Sequence, residues 1–175
     1  MDTRTLVSIL ESCPATKRVA LIQSHPCVIL LEIETVQGTT RPLPGLDLSP
    51  RVEEIDRFTP WLDRKLRRFE DGLSGTITKS YRLKRQFRFC DDSVTLHLCI
   101  PPRQWGIMHT VLTSPERFAK RMLTSREYGG LLPAGWRIED EGVIRRLDGS
   151  HVIAPDETDF FTALALPFVP RHLRK

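Results

Sequence analysis

Thr95, His97 and Cys99 alternate with Val94, Leu96, Leu98 and Ile100 in the stretch DDSVTLHLCIPPRQWG. A period of two puts apolar groups on one face of a β-strand and polar groups on the other. A hydroxyl, an imidazole and a thiol therefore share one surface. His97 could ligate a metal there, although a single histidine on a strand is more often packed or hydrogen-bonded. A second strand-like stretch, Val28 to Val36, sets Leu30, Glu32, Glu34 and Val36 on one face and Leu31, Ile33 and Thr35 on the other, so two carboxylates lie together. The plain alternative for that pair is exposed acids on an edge strand.

Positive charge is the other chemical signal. Nine basic residues (Arg64, Lys65, Arg67, Arg68, Lys79, Arg82, Lys84, Arg85, Arg88) stand against Asp63, Glu70 and Asp71 between Leu62 and Cys90, whereas the whole chain is only +4, with 26 Lys and Arg against 22 Asp and Glu. Such a cluster suits a phosphate backbone, or else a solvated helix face and a strand edge guarded by charge. The four cysteines, Cys13, Cys27, Cys90 and Cys99, stand singly with no C-x-x-C pair, which indicates neither a zinc site nor a disulfide framework. The N-terminus has no basic-then-apolar leader, and the longest apolar run, Cys27 to Leu31, is too short to cross a bilayer. The expectation is a soluble, intracellular protein with no membrane partner.

These groups have to be positioned by a core that 175 residues with 40% hydrophobic content can supply. Leu6, Val7, Ile9 and Leu10 recur at helical spacing before Cys13-Pro14. Arg18 to Ile22 and Val28 to Val36 read as strands joined across Ser24-His25-Pro26. Residues 38–50, with three prolines and two glycines, read as a loop. Val52 to Phe69 then reads as a helix with Ile55, Phe58, Trp61, Leu62, Leu66 and Phe69 on one stripe and Arg64, Lys65, Arg67 and Arg68 on its flank. Ile77 to Cys90 and Val94 to Ile100 form an expected hairpin turning at Asp91, Asp92 and Ser93. Beyond Pro101-Pro102, Trp105 to Leu123 reads as two helical pieces, the second starting with Ser114 as N-cap and Pro115 at the first helical position. A weaker β region spans Trp136 to Val152, turning at Asp148-Gly149. Asp156 to Leu164 closes as a helix with acids at its positive end. Trp105 and Trp136 read as core residues rather than base-stacking platforms.

The stretch PPRQWGIMHTVLTSPERFAKRMLTSREYGGLLPAGWRIEDEGVIRRLDG, followed by DETDFFTALALPFVPRHLR, resembles the family X DNA polymerases, the DNA polymerase beta-like nucleotidyltransferases. The likeness covers roughly residues 94 to 174 and includes a W-G, then T-G-S order and an L-G-L-P and P-x-x-R ending. The first ninety residues follow the same order more weakly. The resemblance implies an α+β fold: a nucleotidyltransferase-like palm over 1–102, a mixed or antiparallel sheet with helices, followed by a small α/β thumb over 103–175.

It also implies a site. The family holds two magnesium ions with two carboxylates of a D-x-D strand and a third on a neighbouring strand. Those positions correspond to Glu32 and Glu34 and to Thr95, whose neutral hydroxyl is no anionic ligand. The family's G-S turn, which grips the triphosphate, is met by Gln23-Ser24, and its T-G-S motif by Thr113 and Ser114, with Ala119 at a position that touches the nucleotide. Ser24, Thr113 and Ser114 are thus the nucleotide-binding candidates, and Arg64, Lys65, Arg68, Arg82, Lys84, Arg85, Arg88, Lys120 and Arg121 the nucleic-acid-binding ones. The resulting expectation is a divergent, inactive relative that needs no cofactor and acts as a DNA- or other nucleic-acid-associated or protein-binding subunit in replication, repair or a mobile-element assembly. Two other readings stay open: an active gap-filling nucleotidyltransferase holding Mg or Mn through Glu32, Glu34 and His97, and a purely structural scaffold.

Overall fold

Leu6 and Leu10, one helical turn apart, are both fully buried on helix α1 (Thr3–Glu11). The helix packs on strand β1 (Thr16–Ser24), and the Thr16 hydroxyl donates to the Leu10 carbonyl at 2.8 Å. In the computed structural model the described residues are 3–13, 16–24, 27–33, 77–81, 84–89, 92–99, 103–139 and 143–175. The expected loop at 38–50, the expected helix from Val52 to Phe69, and Glu34 lie outside them. The chain divides into two compact units, 1–100 and 101–175.

The first unit carries a five-stranded sheet of β1, β2 (Cys27–Ile33), β3 (Ile77–Tyr81), β4 (Lys84–Phe89) and β5 (Asp92–Cys99), in the order β1-β2-β5-β4-β3. β2 and β5 run parallel and every other neighbour is antiparallel. Interior parallel strands must be apolar on both faces, and β2 obeys: Ile29 and Leu31 on one face and Leu30 on the other are all buried. On β5 the expected alternation holds, with Val94, Leu96 and Leu98 buried and Thr95 and His97 half-buried.

The stretch from Ile77 to Cys90 is not one strand. It is the antiparallel pair β3 and β4, with Tyr81 opposite Lys84. The β4–β5 pairing extends further than expected, because Phe89 already pairs with Asp92. Asp92 and Ser93 therefore belong to the strand.

The second unit is a small α+β body. Helices α2 (Trp105–Thr113), α3 (Glu116–Leu123) and α4 (Glu157–Ala163) accompany a short hairpin of β6 (Arg137–Ile138) and β7 (Ile144–Arg145). Its core is Ile107, Met122, Leu132, Ile144, Val152, Ala154, Phe160, Phe161 and Leu164. Trp105 is buried and Trp136 packs against this core, as expected. The W-G pair has a steric reason. Gly106 donates its N–H to the Ala154 carbonyl at 2.8 Å, and a Cβ at Gly106 would stand 2.1 Å from the Asp156 carbonyl oxygen.

Ser114 does not start α3. It terminates α2, its hydroxyl donating back to the Thr110 carbonyl, while Pro115 takes the N-cap position of α3 without a side-chain bond. A serine one turn beyond a helical carbonyl has that acceptor nearer than the next helix's amides. At α4 the Asp156 N–H donates to the Asp159 carboxylate at 3.0 Å, which satisfies one orphan donor of the helix start. Among the described residues no helix is long and apolar enough to cross a membrane.

Candidate functional site

Pairing across the sheet fixes which residues stand level with Thr95. Gln23 of β1 faces Val28 of β2, Val28 faces Thr95, Thr95 faces Gln86 of β4, and Gln86 faces Lys79 of β3. This row, Gln23–Val28–Thr95–Gln86–Lys79, crosses all five strands without a carboxylate. The Gln86 amide approaches the Thr95 hydroxyl at 3.5 Å. Ser24, the candidate from the G-S turn, closes the same end of the sheet opposite Cys27.

Glu32 stands elsewhere. Its β5 partner is Cys99, four residues beyond Thr95, which at about 3.3 Å per residue separates the two levels by roughly 13 Å. His97 lies between them, level with Leu30 and Lys84. The register therefore does not bring Glu32, His97 and Thr95 together as one ligand set.

Nor is Glu32 an exposed acid on an edge strand. It sits on interior strand β2 with its side chain 0% exposed. Its carboxylate is ion-paired with Arg18, through Nε, and with Lys17 Nζ at 3.5 Å. A carboxylate removed from water needs such partners, and both of its oxygens are engaged. Beside it, burial first and the Glu32 charge second push the Cys99 thiol far above its ordinary value, against a smaller opposing pull from Arg18. Cys99 is an inert neutral thiol.

A pair of divalent ions does not fit the described members of the candidate set, Glu32, Thr95 and His97. The row holding Thr95 offers amides, a hydroxyl and an ammonium-bearing residue, and the Glu32 carboxylate is neutralised by two cations. Among the described residues, no three His, Cys, Asp or Glu side chains are grouped to hold a metal ion.

In the second unit, Thr113 and Ser114 are committed to the protein itself. The Thr113 hydroxyl donates to the His109 carbonyl at 2.7 Å, and both hydroxyls accept from Arg174 Nη1, at 3.1 and 3.3 Å. The same guanidinium donates to Glu157 Oε1 at 2.8 Å and to the Val169 carbonyl at 3.0 Å, and lies over the Phe161 and Phe168 rings. His109 Nδ1 lies 3.3 Å from the same Glu157 oxygen. Burial alone would raise the Glu157 carboxyl, but hydrogen bonds and charge from His109 and Arg174 outweigh it and hold the group down to about 2. Sequence reasoning missed this cluster. Arg174 appears there only as the last residue of the quoted tail, and no local periodicity marks its burial.

The basic candidates divide. Lys120 and Arg121 are exposed on α3 with Arg117, one turn apart on the side opposite buried Ala119 and Met122. Lys84, Arg85 and Arg88 lie on β4 at the levels of His97, Leu96 and Ser93. Arg64, Lys65, Arg68 and Arg82 fall outside the described residues.

No family model and no curated protein matches the chain. Solved structures do. A DNA polymerase beta of Leishmania infantum, in a ternary P/T complex, aligns at a TM-score of 0.59 with 12% identity over 90% of this chain and 67% of that one. The same polymerase in a ternary gap complex aligns at 0.59 with 15% identity, over 98% of this chain and 67% of the other. The protein thus has a polymerase-beta-like α+β fold.

Proposed function

We propose that the chain is a polymerase-beta-like palm, residues 1–102, and thumb, residues 103–175, whose nucleotidyl-transfer site is degenerate, with Thr95 at one of the three acid positions. In this reading it works as a nucleic-acid-associated or protein-binding subunit of a replication, repair or mobile-element assembly. The observation that carries the reading is the carboxylate-free row through Thr95, together with the engagement of Glu32 by Arg18 and Lys17. Two-metal phosphoryl transfer needs several anionic ligands on neighbouring strands, and a threonine hydroxyl or a neutralised carboxylate supplies none.

The retained role rests on charge. Arg117, Lys120 and Arg121 form an exposed face of α3, suited to phosphates, which take their attraction from any nearby cation without base recognition. Glu116 at the start of that helix offsets the helix dipole and leaves the three cations on the later turns. The likeness to a polymerase beta solved in a gap complex makes gapped duplex the natural ligand to try.

Primer extension on gapped DNA, with magnesium and with manganese, is the test, run beside binding by fluorescence anisotropy. The reading expects binding without incorporation, and a loss of roughly tenfold or more in affinity at low salt for Lys120→Glu with Arg121→Glu. Incorporation abolished by Glu32→Ala would overturn the inactive assignment in favour of an active gap-filling enzyme. An absence of binding at low salt would leave a structural scaffold.

A further inference from the structure

His151 is held at both ring nitrogens. Its Nδ1 lies 3.2 Å from Arg103 Nη1, and its Nε2 lies 3.3 Å from Glu139 Oε2. A guanidinium only donates and a carboxylate only accepts. Both contacts are satisfied together by one form of the ring, the neutral tautomer with the proton on Nε2: Nδ1 accepts from Arg103 while Nε2–H donates to Glu139.

Arg103 leads into α2, whereas Glu139 lies beside β6 and His151 bridges to β7 through Arg145. The imidazole thus ties the start of the second unit to its hairpin. Its charged surroundings are lopsided. Arg103, Arg145, the ladder partner, and Arg146, whose Nη1 donates to the His151 carbonyl at 3.2 Å, stand against Glu139, which Arg145 Nε already engages at 2.6 Å.

We propose that His151 is a proton-operated latch. In the neutral ring Nδ1 holds Arg103. A proton added at Nδ1 turns that acceptor into a donor facing another donor, breaks the tie to Arg103, and strengthens the remaining contact with Glu139. The latch is closed while the ring is neutral, and its contact with Arg103 parts when the ring takes up a proton. The side chain is only 16% exposed, so water replaces the lost Arg103 contact poorly and the two states stay distinct.

Imidazole nitrogen NMR on the intact protein tests this between about pH 5 and 8, where histidine side chains titrate. The latch requires the Nε2–H tautomer at the alkaline end, and no substitution is needed to see it. It also requires that Arg103→Met, which removes the opposing donor from a half-exposed position, moves the His151 transition to higher pH by about one unit, and that Glu139→Gln moves it lower. A ring protonated at Nδ1 when neutral, or a transition that does not respond to Arg103→Met, would overturn the proposal.

Discussion

Among the described residues each unit buries one charged side chain, and the two are housed in different ways. In the first, the Glu32 carboxylate is 0% exposed and is met by cations that keep contact with water, Arg18 at 31% exposure and Lys17 at 45%. In the second, the Arg174 guanidinium is the buried member and is surrounded by a carboxylate, two hydroxyls, a backbone carbonyl and two aromatic faces. Glu32 stands where sequence reasoning places chemistry, yet its partners spend its charge inside the sheet. Arg174 stands where sequence reasoning sees only the end of a tail, yet it fastens the tail to α2 and α4. A charged residue's type suggests chemistry; its neighbours decide whether the charge is available.

The contrast can be broken from either side. Arg174→Met should have the largest effect, destabilising the second unit by about 4 kcal/mol, because it removes hydrogen bonds to Glu157, Thr113, Ser114 and the Val169 carbonyl at once, each contributing about 1 kcal/mol. Thermal or denaturant unfolding would measure it. In the first unit, Arg18→Met should cost about 3 kcal/mol by leaving a buried carboxylate short of its nearer partner, and Glu32→Met clearly less, since Arg18 can rehydrate. Equal losses in those two variants would mean that Glu32 is not the buried partner.

Acid should separate the clusters further. Glu157 is depressed from 4.5 to about 2, so its stabilisation is fully present above the unfolded value and is lost as the pH falls from 4.5 toward 2. Melting scans through that window should show a decline that Glu157→Gln flattens. The smallest effect concerns the helix end that follows. Ala165 adopts φ +55° after α4, the left-handed region that glycine enters without strain, and it stands where the resembling motif has its glycine. Ala165→Gly should stabilise the second unit by about 0.5–1 kcal/mol, read as a small rise in melting temperature.

Much of the fold was legible because its signals are local. The alternation from Val94 to Leu98, the two helical pieces around Ser114-Pro115 and the turn at Asp148-Gly149 each lie within a few residues. The split of β3 from β4 was not, since that basic run alternates little and only pairing reveals the reversal. The candidate site was legible as residue types but not as an assembly. Glu32 and Thr95 share the right kind of strands, but register sets them roughly 13 Å apart along the sheet. Counting outward from Ser24 and Cys27 would set Val19 opposite Glu32, and it is the irregularity between Leu21 and Gln23 that brings Arg18 there instead. The Arg174 cluster gave no such clue, because the side chains it hydrogen-bonds lie 17 to 61 residues away.

The central claim is that the described residues of this sheet present no site for paired divalent ions. Manganese titration followed by backbone NMR, in the presence of gapped DNA and a nucleoside triphosphate, tests it most directly, since a bound paramagnetic ion broadens the amides around it. The expected result is no localised broadening at Val28, Glu32, Thr95 or His97. Saturable broadening centred on those four residues, abolished by Glu32→Gln, would contradict the account.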